Sequence, residues 1–530
     1  MKDVLLIAGL GPAHLSHNDQ NESFFSFTNP PFEMYVLAGY SYAPIHLMVE
    51  DQTGLHPLFI ERKEAQLIVD TLKTMFNQEC IDYDFLHIKE LWAGQSRQKE
   101  CYKVVCLSTS FMWSEYMLRY AVEWVCMNFA FDYLIVGGQY AAIKRDFIMS
   151  EFSSVSFVSF GDADVSLIPL LRCILFGNKD YSRIPALCYR RNEEIVTNPF
   201  AQCDIESSFL PAFEEDYDMI SYLAMRGCPY RCGFCAQGNV FPGWQVRSAQ
   251  RVIEDFKHYY SKGYRHIDIH DSTFFVPYQR ALEFINGVRG LGVTWSANCH
   301  ADTPFTKSHI KLLEESGCSD LYVGFEAMSD QVLSYMNKKT TAAHNRRINE
   351  LFKNSSVNIT ASIIVGFPGE TKADHELTRQ YLLNEHVGFF TTTVFEFESE
   401  GMPVWKDRKK FGFKVYKDCY DGFIWQHGGV EWSHSGMTSG EAKFLRRKMI
   451  EDVRQNNDSL AVMRSWQYRF LFPYTRGKNK WETMRIEKLL DRLVYLPHDY
   501  PIQEERKNAL AMIVEELKRY GIVGKKLKII

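Results

Sequence analysis

Residues 226–235 read Arg226-Gly227-Cys228-Pro229-Tyr230-Arg231-Cys232-Gly233-Phe234-Cys235. Cysteines spaced Cys-x3-Cys-x2-Cys converge only if the chain loops around a common centre. Gly227, Pro229 and Gly233 make such a loop feasible. Three thiolates suit three irons of a cubane cluster and leave the fourth iron open for a further ligand. A structural zinc site wants a fourth Cys or His at recognisable spacing, and none follows closely. The 13 cysteines are odd in number and mostly scattered, which speaks for a reducing compartment and against a disulfide framework. Cys228, Cys232 and Cys235 are therefore the candidate metal ligands.

Outward from this loop, a β/α rhythm runs through the middle of the chain. Strand-like runs fall at 221–225, 266–270, 294–297, 320–325, 359–365 and 389–395. Between them lie helical stretches, of which 249–262 is the best defined. Ser248 can cap it, Val252, Ile253, Phe256 and Tyr260 share one face, and Lys262-Gly263 ends it. Six such repeats fit a partial or complete TIM-like barrel, with chemistry at the strand C-termini.

The first 200 residues alternate buried strands (4–8, 104–108, 133–136, 156–160) with helices such as 64–76 and 113–127. This predicts an α/β, Rossmann-like parallel sheet. Ligands meet such sheets beyond the strand ends, at the switch in strand order. Candidate positions are the loop after the first strand, Gly137-Gly138-Gln139 and Gly161-Asp162-Ala163-Asp164. An acidic stretch at 210–218 closes a linker, 201–218. The expected division is an α/β domain over 1–200, a barrel over 219–400 and a mainly helical region over 401–530. In the last, Thr438-Ser439-Gly440-Glu441 reads as a capping box, 504–520 is amphipathic, and the terminal GKKLKII reads as a solvated tail.

A net charge of -5, with 46% hydrophobic and 24% charged residues, is ordinary globular composition. It argues against broad nucleic-acid or anionic-membrane binding. The apolar stretch 116–138 is interrupted by Arg119, Glu123 and Asp132, which argues against a membrane span. With no secretory signal read at Met1-Lys2-Asp3, the expected address is cytoplasmic.

The cysteine spacing after a first barrel strand resembles the radical S-adenosylmethionine (SAM) superfamily. GFEAMSD (324–330), MNKKTT (336–341) and GFPGET (366–371) resemble motifs of the branch with an N-terminal B12-type domain, and IHDSTFF (269–275) is a partial match. The resemblance implies a [4Fe-4S] cluster and SAM, with SAM contacts at Phe234, Asp271, Glu326 and Gly366. Cys299-His300-Ala301-Asp302 marks the third strand end. It also implies that an electron from a donor such as flavodoxin or ferredoxin cleaves SAM to a 5′-deoxyadenosyl radical.

VGGQYA (136–141), FGDADVSLIPLL (160–171) and IPALCYRRNEEIVTNP (184–199) resemble the cobalamin-binding domain of that branch. Implied cobalamin contacts are Gly137, Gly138, Gly161 and Asp162. The Asp-x-His-x-x-Gly signature is absent, which leaves the lower face of cobalt empty, or held by water or a side chain from 9–17. The implied reaction is methylation, via methylcobalamin, of an unactivated carbon or a phosphinate phosphorus in a specialised metabolite or peptide. Cyclisation or rearrangement on the same domain pair is the alternative, and a non-catalytic iron-sulfur or zinc protein the alternative of another class. Methylthiolation is less favoured because Cys101 and Cys106 are isolated. Finally, WQHGGVEWSHSGMTS (425–439) carries Trp425, His427, Trp432 and His434. It reads equally as a closure of the substrate site or as a packed junction.

Overall fold

The computed structural model describes residues 3–9, 47–51, 54–57, 65–92, 99–110, 112, 115–177, 180–192, 194–240, 242–418, 430–456 and 460–463, with scattered positions from 480 onward. The apolar run Val4–Ala8 is buried along its whole length, as a strand covered on both faces must be. It lies second in a seven-stranded sheet whose order is Tyr83–His87, Val4–Ala8, Glu100–Ser108, Phe129–Gly137, Phe157–Ser159, Leu187–Arg191, Glu194–Thr197. The first five strands are parallel, and the last two form an antiparallel hairpin on the edge. Alternating side chains feed two cores. Leu5, Ile7, Val105, Leu107, Leu134 and Val136 join one, while Val4, Leu6, Val104, Cys106 and Ile135 join the other. Strand order switches at Val4–Ala8, so Gly9 and the 108–110 and 137–138 turns border the crevice at the carboxyl ends.

A second seven-stranded parallel sheet follows in chain order: Ile220–Tyr222, His266–Ile269, Thr294–His300, Cys318–Glu326, Asn358–Val365, Val387–Val394 and Leu460–Met463. Its two end strands do not pair with each other among the described residues, which makes it a partial barrel. Ser248 caps Ala249–Ser261 by accepting from Arg251 N. Val252, Ile253 and Phe256 are buried as expected. Tyr259 rather than Tyr260 completes the buried face, because Tyr259 donates its hydroxyl to Pro211 O, 3.0 Å away under the linker.

The region beyond residue 400 mixes helix with strand. Thr438 and Glu441 form the anticipated capping box of Ser439–Gln455. Lys414–Asp418 pairs antiparallel with Val430–Ser433, and Leu460–Met463 continues the second sheet. In the terminal lysine-rich segment, Leu527–Ile529 pairs antiparallel with Leu47–Asp51. Most of 504–520, and both Trp425 and His427, lie outside the described residues. Among the described residues, no helix is long and apolar enough to cross a membrane.

Candidate active site at the cysteine loop

The chain leaves strand Ile220–Tyr222 and is gripped before it reaches the cysteines. Asp271 Oδ1 accepts from Ala224 N and Met225 N, both at 2.7 Å. Ala224 O accepts from Arg247 N at 2.8 Å and from Arg280 Nη2 at 3.3 Å. Met225–Gly227 then pairs with Trp244–Val246, which closes the loop at its base. Asp271 is 0% exposed, and burial pushes its carboxyl up to about 6, with Arg280 opposing. One oxygen of this residue thus serves the backbone ahead of the cysteines, while Oδ2 is buried without a hydrogen-bond partner.

Inside the loop, Gly233 N donates to Met336 O at 2.7 Å. Asn337 Nδ2 donates to Arg231 O at 2.9 Å, and Arg231 Nη1 donates to Cys228 O at 2.7 Å. The Tyr230 ring lies flat on His300, with centroids 4.2 Å apart and planes 5° apart. His300 in turn holds Asp302 through Nδ1 at 2.6 Å. The three thiols are free. Burial raises all three, Cys232 to about 12, and the Lys338 charge opposes the rise at each. Among the described residues, the trio of potential ligand atoms lying within 4.8 Å of one another is Asp162, Asp164 and Cys203, not the cysteine loop. Three thiols on one loop would hold a cubane with each thiolate on a separate iron.

Glu326 ends strand Cys318–Glu326 with φ +59° and is 5% exposed. Its Oε1 lies 2.8 Å from Nζ of Lys338, which is 6% exposed and stands 5.5 Å above the Phe234 ring. Phe234 and Glu326 are thus drawn together beside the cysteines, joined by a lysine that the sequence reading quoted within MNKKTT but gave no role. A basic residue inside a turn motif was the available signal.

Gly366 packs against the segment after the sheet. At φ +87°, a Cβ there would lie 2.6 Å from Trp432 and 2.7 Å from Ala442, so this glycine admits the segment after the sheet. Trp432 is buried, donates Nε1 to Phe395 O at 3.0 Å and stacks on His434. His434 Nδ1 accepts from Gly369 N at 3.3 Å. For Trp432 and His434 the packed junction is the arrangement observed.

In the first domain, Gly138 packs against Thr109 and Ser110, Gly137 against Ser159, and Gly161 against Ala186. Asp162 is committed to the other domain. Arg226 Nη1 reaches Asp162 Oδ2 at 3.1 Å and Asp164 Oδ1 at 3.3 Å, and it contacts Cys203 Sγ. The trio that converges tightly enough for a cation is already filled by a guanidinium.

The partial barrel with its cysteine loop defines the class. Residues 222–382 match the radical SAM superfamily model and are a radical SAM domain, a type that uses a [4Fe-4S] cluster and SAM. The chain is 24% identical over 305 residues to an uncharacterised methyltransferase of Pyrococcus horikoshii, covering 55% of this chain and 65% of that one. It is 23% identical over 269 residues to the anaerobic magnesium-protoporphyrin IX monomethyl ester cyclase of Cereibacter sphaeroides, covering 46% and 43%. The chain thus spans less than two thirds of the length of these curated relatives. Among solved structures, the radical SAM methyltransferase TsrM from Kitasatospora setae, with cobalamin and a [4Fe-4S] cluster bound, superposes with a TM-score of 0.58. That match has 13% identity and covers 98% of this chain and 100% of TsrM. OxsB, a cobalamin-dependent SAM radical enzyme, superposes with a TM-score of 0.55 at 14% identity, covering 86% and 73%. At these identities the likeness is one of fold.

Proposed function

We propose that this chain is a cobalamin-dependent radical SAM methyltransferase that modifies an unactivated carbon of a small-molecule or peptide substrate. The observation that carries the reading is the partly buried cysteine loop at the exit of the first barrel strand, fastened to the turn that carries Lys338, whose ammonium stands over Phe234. Cys228, Cys232 and Cys235 are the proposed cluster ligands. When bound there and reduced by an external one-electron donor such as flavodoxin or ferredoxin, a [4Fe-4S] cluster would supply the electron for reductive cleavage of SAM. This chain's residues hold the loop (Asp271, Arg247, Arg280), present an apolar ring beside it (Phe234) and keep a carboxylate at the fourth strand end (Glu326).

Cobalamin is proposed for the crevice of the first sheet, bordered by Gly137 and Gly138, where the strand order reverses. Support comes from the whole-chain fold match to TsrM and from the open strand ends. Gly161 and Asp162, the other residues proposed for that site, also lie against Ala186 and Arg226. A second reading, ring closure, is favoured by the cyclase relative of Cereibacter sphaeroides.

The test is anaerobic reconstitution with iron and sulfide, then dithionite and SAM. Release of 5′-deoxyadenosine, lost when the three cysteines are replaced by alanine, is the expected result. Wild-type release of that nucleoside from the triple variant refutes the cluster assignment. Bound corrin detected by mass spectrometry supports the methyl-transfer chemistry, and a corrin-free anaerobic preparation that cannot be loaded overturns it.

A further inference from the structure

We infer that the Lys338–Glu326 ion pair sets the electrostatics of the cysteine loop, with Lys338 as a positioning residue whose charge raises the reduction potential of the cluster held there. The inference rests on the cluster reading above and deepens it. Burying two charges is costly and brings little stability by itself, yet this pair is almost completely enclosed. The surrounding chain is shaped to keep it. Asn337 and Lys339, on either side of Lys338, both take left-handed conformations at φ 52° and 64°, which side-chain-bearing residues adopt at a cost. Glu326 does the same. Gly324 completes the cradle, because a Cβ there would collide with both Glu326 Oε1 and Lys338 Nζ.

The same turn is fastened to the cysteine loop. Met336 O takes Gly233 N–H, and Asn337 donates to Arg231 O. The two residues before Lys338 are thus anchored to the loop. Its ammonium stands over Phe234, between Cys232 and Cys235 in sequence. A cluster on three thiolates gains one further negative charge when it takes up an electron. A cation held nearby in a low-dielectric setting favours that state, and the Glu326 carboxylate moderates the effect. Opposite substitutions in the pair should therefore move the potential in opposite directions, which a purely structural pair would not do.

The experiment uses full-length protein, reconstituted anaerobically without SAM, with iron content measured and the cluster signal followed by electron paramagnetic resonance through a dithionite titration. K338Q is expected to keep its iron and shift the midpoint to lower potential, E326Q to shift it higher, and K338R to stay near wild type. Midpoints in iron-loaded K338Q and E326Q that are unchanged, or that move together, overturn the inference. Should K338Q fail to hold iron, E326Q decides alone: a midpoint above wild type supports the inference, and one at or below it refutes it. Absence of any cluster signal in the wild-type protein would instead refute the cluster assignment.

Discussion

Arg226 Nη1 lies 3.1 Å from Asp162 Oδ2, and this contact ties the acid turn of the first domain to the strand that enters the cysteine loop. The carboxylate that a ligand in the first domain was expected to meet is turned onto the partner domain. Asp164 reinforces the contact; burial opposes the charge of the guanidinium, but the Asp162 and Asp164 carboxylates outweigh it and hold Arg226 firmly charged.

R226Q strands two carboxylates at a domain junction. Removing one partner from a buried pair costs about 3–5 kcal/mol, and partial solvent access reduces that here to about 2 kcal/mol. R226Q should lower the denaturant midpoint, and D162N/D164N in the same chain should restore part of the loss. Additive losses in the triple variant would show that the three side chains do not interact.

Asp271 carries two backbone N–H groups at the entrance to the cysteines. D271A leaves both donors buried without an acceptor, at about 2–3 kcal/mol, and should reduce iron retained after reconstitution. D271N keeps one acceptor oxygen and should fall between D271A and wild type in the same iron assay.

Cysteine replacement should discriminate sharply. C228A, C232A or C235A is expected to lose most of the iron. C299S should retain it, since Cys299 donates to Thr303 Oγ1 at 3.3 Å within the third strand end and takes no part in the loop. Iron loss in C299S would move the cluster assignment elsewhere.

G366A adds a Cβ against Trp432 and Ala442 at positive φ. Left-handed strain of about 1–2 kcal/mol and overpacking of about 1–3 kcal/mol act together. Thermal unfolding should show a clear loss, with increased hydrogen exchange over 430–442. Unchanged exchange there would mean that this segment does not depend on Gly366.

Glu370 is buried and accepts from Gly366 N, and burial pushes its carboxyl from 4.5 up to about 8. The folded state therefore holds a proton that the unfolded chain releases above 4.5. Below 4.5 both states are protonated. Between 4.5 and about 8 stability falls as pH rises, and above that it levels off. E370Q should flatten this slope in melting curves recorded from pH 5 to 9.

How much was legible follows from the range of each interaction. The first strand announced itself because burial on both faces demands a continuous apolar run, as in Val4–Ala8. The caps at Ser248 and Thr438 were legible because a cap acts within three residues. Tyr259 and Tyr260 were exchanged because the linker, distant in sequence, decides which hydroxyl finds a buried acceptor.

The order of amino acids alone determined the two β/α series and the three cysteines, since both are written in local spacing and backbone chemistry. Only the tertiary structure decided what the polar side chains touch. Asp162 meets Arg226, Asp271 serves the backbone at Ala224 and Met225, and Glu326 is matched by Lys338. The physical reason is that a buried charge takes whichever partner the fold brings within about 3 Å, and residues that far apart in sequence carry no mark of one another.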